Sequence, residues 1–217
     1  MSRHADTPHS PAPPAVRPRS RNARGEGEKL RTEILEAMLR LMADEERMRP
    51  VPLSLREVAR EAGVTAPAIY RHFPDKEALS QAAFDSLFGR LVEAMDRADA
   101  DAAALPPAER LAALAHAYCD FAEENPASFR IMFNAAELSG DGPDRVAQRW
   151  RTAVARLADT GMRLIQSPEA GAVSVWSSVH GQLVLRRSAG GAGSSADTHA
   201  FVDELTRSLA AVDPATG

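Results

Sequence analysis

The sequence contains a single cysteine, Cys119, among 217 residues. One thiol cannot form an intramolecular disulfide, and this usage fits the reducing cytosol. No apolar run approaches the roughly 20 residues that a membrane-spanning helix needs, and the Pro- and Ser-rich N-terminus lacks the apolar segment of a signal peptide. These absences predict a soluble, cytoplasmic protein without a membrane partner.

An excess of positive charge is also lacking. The formal net charge is −4, which argues against a protein that coats nucleic acid along its whole surface. Residues 1–31 nevertheless carry seven basic and three acidic side chains, whereas residues 80–217 carry twelve and eighteen. The basic end is therefore the end expected to meet a polyanion. A basic tail without a function would show the same composition.

Sustained alternation of apolar and polar residues, the pattern of a half-buried strand, occurs nowhere in the sequence. Apolar residues recur instead at helical spacing, beginning with Leu30, Ile34, Met38 and Leu41. This pattern predicts an all-α chain of about nine helices. We expect four regions, which are a disordered basic arm over 1–27, a smaller helical domain over 28–80, a larger helical domain over 81–212 and a tail over 213–217.

The helix-turn-helix is predicted from a tight glycine-containing turn. Only Gly63 and Val64 separate a short helix that ends near Ala62 from one that starts at Thr65. Two short helices joined in this way form the helix-turn-helix plan, whose second helix lies in the DNA major groove. Thr65 is the expected N-cap, and Pro67 falls in the first turn, where its missing N–H has little consequence.

The second helix of this motif carries side chains suited to DNA. Ile69 and Phe73 are four residues apart and are expected to face the core. Tyr70 and His72 can donate to phosphate oxygens, and Arg71 can reach a phosphate or a guanine edge. Small side chains, which allow close approach to thymine methyl groups, are expected on the same surface: Ala66, Pro67 and Ala68.

Lys76 falls in the first turn of the next helix, where a cation opposes the helix dipole. A nearby phosphate would explain its presence. A generic helical hairpin with incidental exposed residues is the alternative interpretation.

The stretch LSLREVAREAGVTAPAIYRHFPDKEAL, residues 53–79, resembles the DNA-binding domain of TetR-family transcriptional repressors. The resemblance implies that Ser54 and Thr65 bind phosphates at helix starts. It also implies that Arg56 and the surface formed by residues 66–68 face bases. The backbone clamp that it implies consists of Tyr70, His72 and Lys76. Further along, WSSVHG, residues 176–181, is similar to the Trp…His-Gly motif of one subgroup of TetR C-terminal domains.

An apolar stripe over Phe129, Met132 and Phe133 lies within the segment FRIMFNAAEL. Such a stripe is usually core, but the resemblance implies that it also lines a ligand cavity. Trp176 and His180 are one helical turn apart, so His180 is expected to provide a polar group at the edge of that cavity. A packing motif without a ligand is the alternative.

A metal site or a catalytic site is not expected. His116, Cys119 and Asp120 lie close in sequence, but a metal needs three or four ligands, and no second pair at ligand spacing is evident. Nothing clearly cationic other than His116 would activate Cys119 as a redox switch. No nucleophile elbow or phosphate-binding loop is present. We therefore expect no cofactor and no enzymatic activity.

The combined features predict a ligand-responsive transcriptional repressor that binds a palindromic operator in double-stranded DNA as a homodimer and is released by a small hydrophobic effector. Apolar residues of the last two helices are the expected dimer contacts: Val175, Leu183, Phe201, Leu205 and Leu209. An activator or a ligand-blind regulator of the same fold is an open alternative. A small-molecule-binding helical domain whose helix-turn-helix docks protein is a further one.

Overall fold

The computed structural model describes residues 26–43, 53–134, 140–160, 167–188 and 195–209. These residues form nine helices and no strand, which confirms the all-α prediction. The helices are α1 (Glu26–Ala43), α2 (Leu55–Glu61), α3 (Ala66–Tyr70), α4 (Lys76–Asp101), α5 (Pro107–Glu124), α6 (Pro126–Asn134), α7 (Gly142–Asp159), α8 (Pro168–Ser188) and α9 (Ser195–Leu209).

The ends of the chain lie largely outside the described residues. The expected basic arm over 1–27 overlaps them only at its last two positions, because α1 already begins at Glu26. The expected tail over 213–217 lies wholly outside. No helix among the described residues is long and apolar enough to cross a membrane.

Local signals set the ends of α2 and α3. Ser54 caps α2 and forms a capping box: its hydroxyl accepts from the Glu57 N–H, and the Glu57 carboxylate accepts from the Ser54 N–H. Gly63 ends the motif's first helix with a φ of 65°, a left-handed conformation that glycine adopts without strain. Thr65 occupies the N-cap position of α3 as predicted, but its side chain makes no capping hydrogen bond.

A first hydrophobic core joins the N-terminal helices. Ile34 and Met38 of α1 pack with Val58 of α2, Ile69 of α3 and Leu79 of α4. Ile34, Ile69 and Leu79 are fully buried. Because α2 and α3 are too short to be stable alone, this core fixes their relative orientation.

A second, larger core is formed by α4 to α9. It centres on Trp150 of α7 and Tyr118 of α5, which are both fully buried. Leu39 of α1 packs against both cores. The two clusters therefore meet along α1 and α4.

Helix α4 runs from the first core to the second. Its 26 residues correspond to about 39 Å at 1.5 Å per residue. Asp75 caps its start by accepting from the Ala78 N–H at 2.7 Å. Leu79 and Ala83 lie in the first core, whereas Leu87 and Met95 lie in the second.

The C-terminal end of α4 is held by two carboxylates. Asp99 accepts two hydrogen bonds from Arg110 of α5, at 2.8 and 2.6 Å, and two from Arg156 of α7. Burial alone would raise the pKa of Asp99, but hydrogen bonds and charge from the two arginines outweigh it and lower the pKa. Asp96, one turn earlier, pairs with Arg149 of α7. This end of α4 is therefore fixed to the larger core.

We predict that Asp99→Asn lowers the free energy of unfolding by roughly 3 kcal/mol, because two arginines lose their shared carboxylate. A carboxylate with a lowered folded-state pKa stabilises the fold above its ordinary pKa of 3.8, and this contribution is lost as the pH falls through the lower folded-state value. Urea unfolding of both proteins across pH measures the difference.

The matched control is Asp96→Asn, whose side chain is half exposed and whose loss should change stability by less than about 1 kcal/mol. Equal effects of the two substitutions at neutral pH would contradict the assignment of Asp99. So would a difference between wild type and Asp99→Asn that does not shrink below about pH 4.

Candidate DNA-binding and effector sites

The helix-turn-helix exposes most of the side chains that the sequence assigns to DNA. Exposed positions are Ser54, Arg56, Thr65, Pro67, Tyr70 and Arg71, and half-buried ones are Ala66, His72 and Lys76. Tyr70 is 56% exposed, although a tyrosine ring would be expected to bury more of its surface. Its exposure is therefore not explained by packing within the chain.

Ala68 is placed differently from the sequence expectation. It is only 7% exposed and lies next to the fully buried Ile69. The buried arc of an amphipathic helix is more than 100° wide, so it includes a neighbour of the central core residue. Ala68 therefore faces the protein, and the small surface available to a base is reduced to Ala66 and Pro67.

Hydrogen bonding separates the polar side chains of this surface into two groups. The Ser54 hydroxyl is engaged in the capping box, where it also donates to Glu57 at 2.9 Å. In contrast, five polar side chains form no hydrogen bond or ion pair with any other described residue: Arg56, Tyr70, Arg71, His72 and Lys76. The second group presents unused donors at the surface.

A cluster of six rings fills the middle of the second core. This aromatic cluster consists of Tyr118, Phe129, Phe133, Trp150, Trp176 and His180. The Tyr118 ring meets those of Phe129 and Trp150 edge to face, with centroids 5.5 and 5.6 Å apart. Phe129 and Phe133 lie 5.3 and 4.7 Å from the His180 ring. Four of the five residues predicted for the ligand pocket thus lie together, and the fifth, Met132, is buried in the same core.

The Tyr118 hydroxyl joins two polar groups of this cluster. It accepts from the Trp176 indole N–H at 3.1 Å and lies 2.8 Å from Nδ1 of His180. If Nδ1 carried the proton, the buried phenol hydrogen would have no acceptor, which would cost about 1–3 kcal/mol of stability. The phenol therefore donates to Nδ1, and the remaining imidazole hydrogen is on Nε2.

The pKa values agree with this arrangement. Burial first, and the charge of Arg187 second, lower the pKa of His180, which keeps its imidazole neutral. Burial raises the pKa of Tyr118 well above its usual range, so the phenol keeps its hydrogen. Sequence reasoning placed Tyr118 inside but missed its partners. The available signal was that a buried tyrosine hydroxyl usually has one.

The aromatic cluster is only partly enclosed: Tyr118 and Trp150 are fully buried, whereas Phe133, Trp176 and His180 are half-buried. Surface concavities lie between α7 and α8, beside Arg151 and Pro168, and between α4 and α5, beside Arg97 and Asp120. Neither is lined by a residue of the cluster. The packing alternative for these residues therefore remains open.

Two of the predicted dimer contacts are wrong. Val175 and Leu183 are 0% and 3% exposed and belong to the second core, because they lie on the face of α8 that packs against α7. Phe201 and Leu205 are half-buried against the same core, and the Leu209 side chain lies outside the described residues. The exposed apolar residues of α8 are Val173, Val184 and Leu185, which the sequence did not single out.

His116 lies beside a second histidine that the sequence analysis did not identify. His199 of α9 stacks on His116 with centroids 4.2 Å apart. Nε2 of His199 lies 2.7 Å from Asp120, and Nε2 of His116 lies 3.0 Å from Asp203. Each histidine thus meets the carboxylate of the opposite helix. No three such groups among the described residues could hold one metal ion.

Cys119 lies on the buried side of α5. Burial first, and the charges of Asp120 and Glu123 next, raise the pKa of its thiol to about 12. A protonated, buried thiol is a poor nucleophile. This environment is the opposite of the one that a redox switch needs.

Comparison with known proteins identifies the family. Residues 51–83 match the family described as bacterial regulatory proteins, tetR family, and residues 111–209 match the tetracyclin repressor-like C-terminal domain. Together the two matches span more than half of the chain. No curated protein matches it significantly.

Solved structures share its fold. A protein of unknown function from Rhodococcus sp. RHA1 is 26% identical, with a TM-score of 0.71 over 84% of this chain and 96% of that one. A TetR family transcription regulator from Marinobacter aquaeolei VT8 is 19% identical, with a TM-score of 0.68 over 86% and 98%. The fatty acid degradation regulator FadR from Bacillus halodurans is 13% identical, with a TM-score of 0.64 over 83% and 94%.

The fold and the helix-turn-helix define a DNA-binding transcription regulator. The chain belongs to the TetR family, with an N-terminal DNA-binding region and a C-terminal ligand-binding domain. Its similarity to the Trp…His-Gly subgroup stays a prediction.

We predict that Tyr118→Phe lowers the free energy of unfolding by about 2 kcal/mol, because the Trp176 N–H and His180 Nδ1 both lose their buried partner. The matched control is Tyr70→Phe, which removes the only other tyrosine hydroxyl in the chain from an exposed position and should change stability by less than about 0.5 kcal/mol. Urea unfolding followed by tryptophan fluorescence measures both. Equal stabilities for the two variants would refute the buried hydrogen bonds.

Proposed function

We propose that the protein is a transcriptional repressor that binds a palindromic operator as a homodimer and is released by a small hydrophobic effector. The observation that carries the DNA-binding half is the group of unused donors on the helix-turn-helix. Arginine, lysine, histidine and tyrosine side chains left without partners in the protein are the groups that bind phosphates and base edges.

Each donor has a proposed role. Tyr70, His72 and Lys76 bind phosphates, with Arg71 beside them, and Arg56 reads a base edge. Thr65, whose hydroxyl makes no capping bond, is a better phosphate donor than Ser54, whose hydroxyl already meets Glu57. Ala66 and Pro67 allow the backbone of α3 to approach the bases.

The domain arrangement follows from the two cores. Residues 28–80 act as the DNA-binding domain and residues 81–212 as the effector-binding and dimerisation domain, joined by α4. The basic arm over 1–27 would follow the DNA backbone.

The outer face of α8 is the proposed dimer surface. Val173, Val184 and Leu185 flank a strip of small residues that includes Ser177 and Gly181. A Cβ added to Gly181 would meet nothing in the chain, so packing within the protomer does not require glycine there. A second helix could approach closely at this strip. A two-fold dimer buries the same surface on both subunits, and to bind a palindrome it must place its two recognition helices roughly 34–36 Å apart.

Effector release depends on contacts between the aromatic cluster and α4. Phe133 meets Phe88 of α4 edge to face at 5.8 Å. A Cβ on Gly142 of α7 would lie only 2.4 Å from the Phe88 ring, so Phe88 has no room to move independently of α7. A ligand that displaces Phe133 would therefore shift α4, whose first residue is Lys76.

A second route joins α6 to α1. Arg130 of α6 donates to the carbonyl of Ala43 at the end of α1, at 3.5 Å. Helix α6 thus contacts α1 of the DNA-binding domain and the connecting helix α4. The fatty acid degradation regulator from Bacillus halodurans shares this fold, which is compatible with an apolar effector. A ligand-blind regulator of the same fold is the second candidate, because neither surface concavity is lined by a residue of the aromatic cluster.

DNA binding is tested with a duplex selected from random sequences on the full chain. Lys76→Ala should weaken binding to all sequences and reduce the salt slope by about one unit, because one phosphate contact is lost. Arg56→Ala should relax sequence preference, since a bidentate base contact contributes roughly 1–3 kcal/mol of discrimination.

Arg151→Ala is the matched control, because it removes an exposed cation from α7, far along the chain from the helix-turn-helix. Fluorescence anisotropy at several salt concentrations measures all three. If Lys76→Ala and Arg56→Ala bind like Arg151→Ala, the proposed DNA surface is wrong.

For the dimer, we predict that Leu185→Asp shifts the protein to monomers, because a charge would be buried at the interface. The control is Leu105→Asp, at an exposed leucine between α4 and α5. Sedimentation velocity at micromolar concentration measures the state of both. A dimer that survives Leu185→Asp as well as Leu105→Asp would exclude this face of α8.

A further inference from the structure

The Trp150 indole N–H is an unused donor inside the second core. Trp150 is fully buried, and no described residue accepts from its Nε1. A buried donor without a partner is disfavoured by about 1–3 kcal/mol, and such groups are rare in native proteins. Because the ring packs on Tyr118 at 5.6 Å, this donor belongs to the aromatic cluster.

His180 contributes a second unused donor. Its Nδ1 accepts from Tyr118, so the remaining hydrogen is on Nε2, for which no described residue provides an acceptor. The ring is half-buried between Phe129 and Phe133. Protonation would leave Nε2 a donor as well.

The third group near this cluster is cationic. The Arg187 guanidinium lies over the Phe129 ring, 5.4 Å from its centroid, and donates to the carbonyls of Ala122 and Pro126. Burial lowers the pKa of Arg187, the charge of Glu123 raises it, and the charge of Arg130 lowers it. Glu123, the nearby carboxylate, already accepts from Arg186 and Thr198.

The acceptors of the cluster are in use, whereas two donors are not. The Tyr118 hydroxyl accepts from the Trp176 N–H and donates to His180 Nδ1. A ligand acceptor at Trp150 Nε1 would therefore supply the hydrogen bond that this buried donor lacks. A ligand ammonium group could not accept from the Trp150 N–H, and the charges of Arg187 and Arg130 would oppose its approach to the aromatic rings.

We infer that the effector carries a hydrogen-bond acceptor, a carboxylate or a carbonyl, on an apolar body, and that a cationic effector is rejected. This inference rests on the proposed assignment of the aromatic cluster as the effector site. The acceptor would bind the Trp150 N–H or the His180 Nε2–H, and the apolar body would displace Phe133 or Phe129. The proposed site would distinguish effectors by whether their polar group accepts or donates a hydrogen bond.

Three compounds share the same phenylbutyl body and differ only in the polar group that they carry: phenylbutyrate, phenylbutyramide and phenylbutylamine. Comparing their affinities tests whether the site prefers an acceptor to a cation. Trp150 and Trp176 are the only tryptophans in the chain, so intrinsic fluorescence of the full-length protein reports binding at the cluster without DNA. We expect the carboxylate and the amide to bind at least about tenfold more tightly than the amine, the factor that one added hydrogen bond supplies.

Trp150→Phe keeps an aromatic ring but removes the unused donor. It should weaken phenylbutyrate binding by about tenfold and leave phenylbutylamine unchanged. The control is Leu105→Ala, at an exposed leucine outside the aromatic cluster, which should leave both affinities unchanged. In Trp150→Phe the remaining Trp176 reports binding, and circular dichroism confirms the fold of both variants.

The outcomes distinguish this inference from the proposed function. Amine binding as tight as carboxylate binding in the wild-type protein would overturn the acceptor inference while leaving an effector site in place. No fluorescence change with any of the three compounds at millimolar concentration would remove the effector site, and the inference with it. The wild-type comparison decides the matter even if Trp150→Phe fails to fold.

Discussion

The rest of the C-terminal domain is arranged around one buried hydroxyl, that of Tyr118. A phenol in an apolar core needs hydrogen-bond partners, because leaving a buried hydroxyl unpaired costs about 1–3 kcal/mol. Its two partners, Trp176 and His180, lie one turn apart on α8, so the hydroxyl fixes the rotation of α8 against α5. That rotation turns Val175 and Leu183 inward and leaves Val173 and Leu185 outside. Together with the packing of α8 on α7, this hydrogen bonding places Trp176 and His180 in the aromatic cluster and leaves Val173 and Leu185 exposed.

Helix α4 is fixed at one end and less constrained at the other. Asp99 and its two arginines attach the C-terminal end to α5 and α7. The N-terminal end, which starts with Lys76, packs with the small first core through Leu79 and Ala83. A rigid helix held at one end converts a small displacement near its middle, at Phe88, into a larger one at its start. This geometry gives the coupling between the effector and DNA sites a physical route.

The helix-turn-helix could be predicted from sequence because its signals are local: a capping Ser54, a left-handed Gly63 and Pro67 in a first turn each act within a few residues. The burial of Ala68 could not, because it depends on how a five-residue helix docks on a distant core. The dimer face could not be predicted for the same reason. An apolar stripe on α8 can pack against α7 or against another subunit, and the local sequence does not distinguish the two. The convergence of Phe129, Phe133, Trp176 and His180 was predictable only through a family resemblance. The pairing of His116 with Asp203 joins helices more than eighty residues apart in sequence and has no local signal.

The central claim is that occupation of the aromatic cluster and occupation of the helix-turn-helix are coupled. The most direct test measures the dissociation constant of a selected DNA duplex with and without saturating phenylbutyrate, and that of phenylbutyrate with and without the duplex. The account predicts that both constants rise by the same factor, about 5 to 150, because coupling is reciprocal. A compound that binds the cluster but leaves both constants unchanged would contradict it.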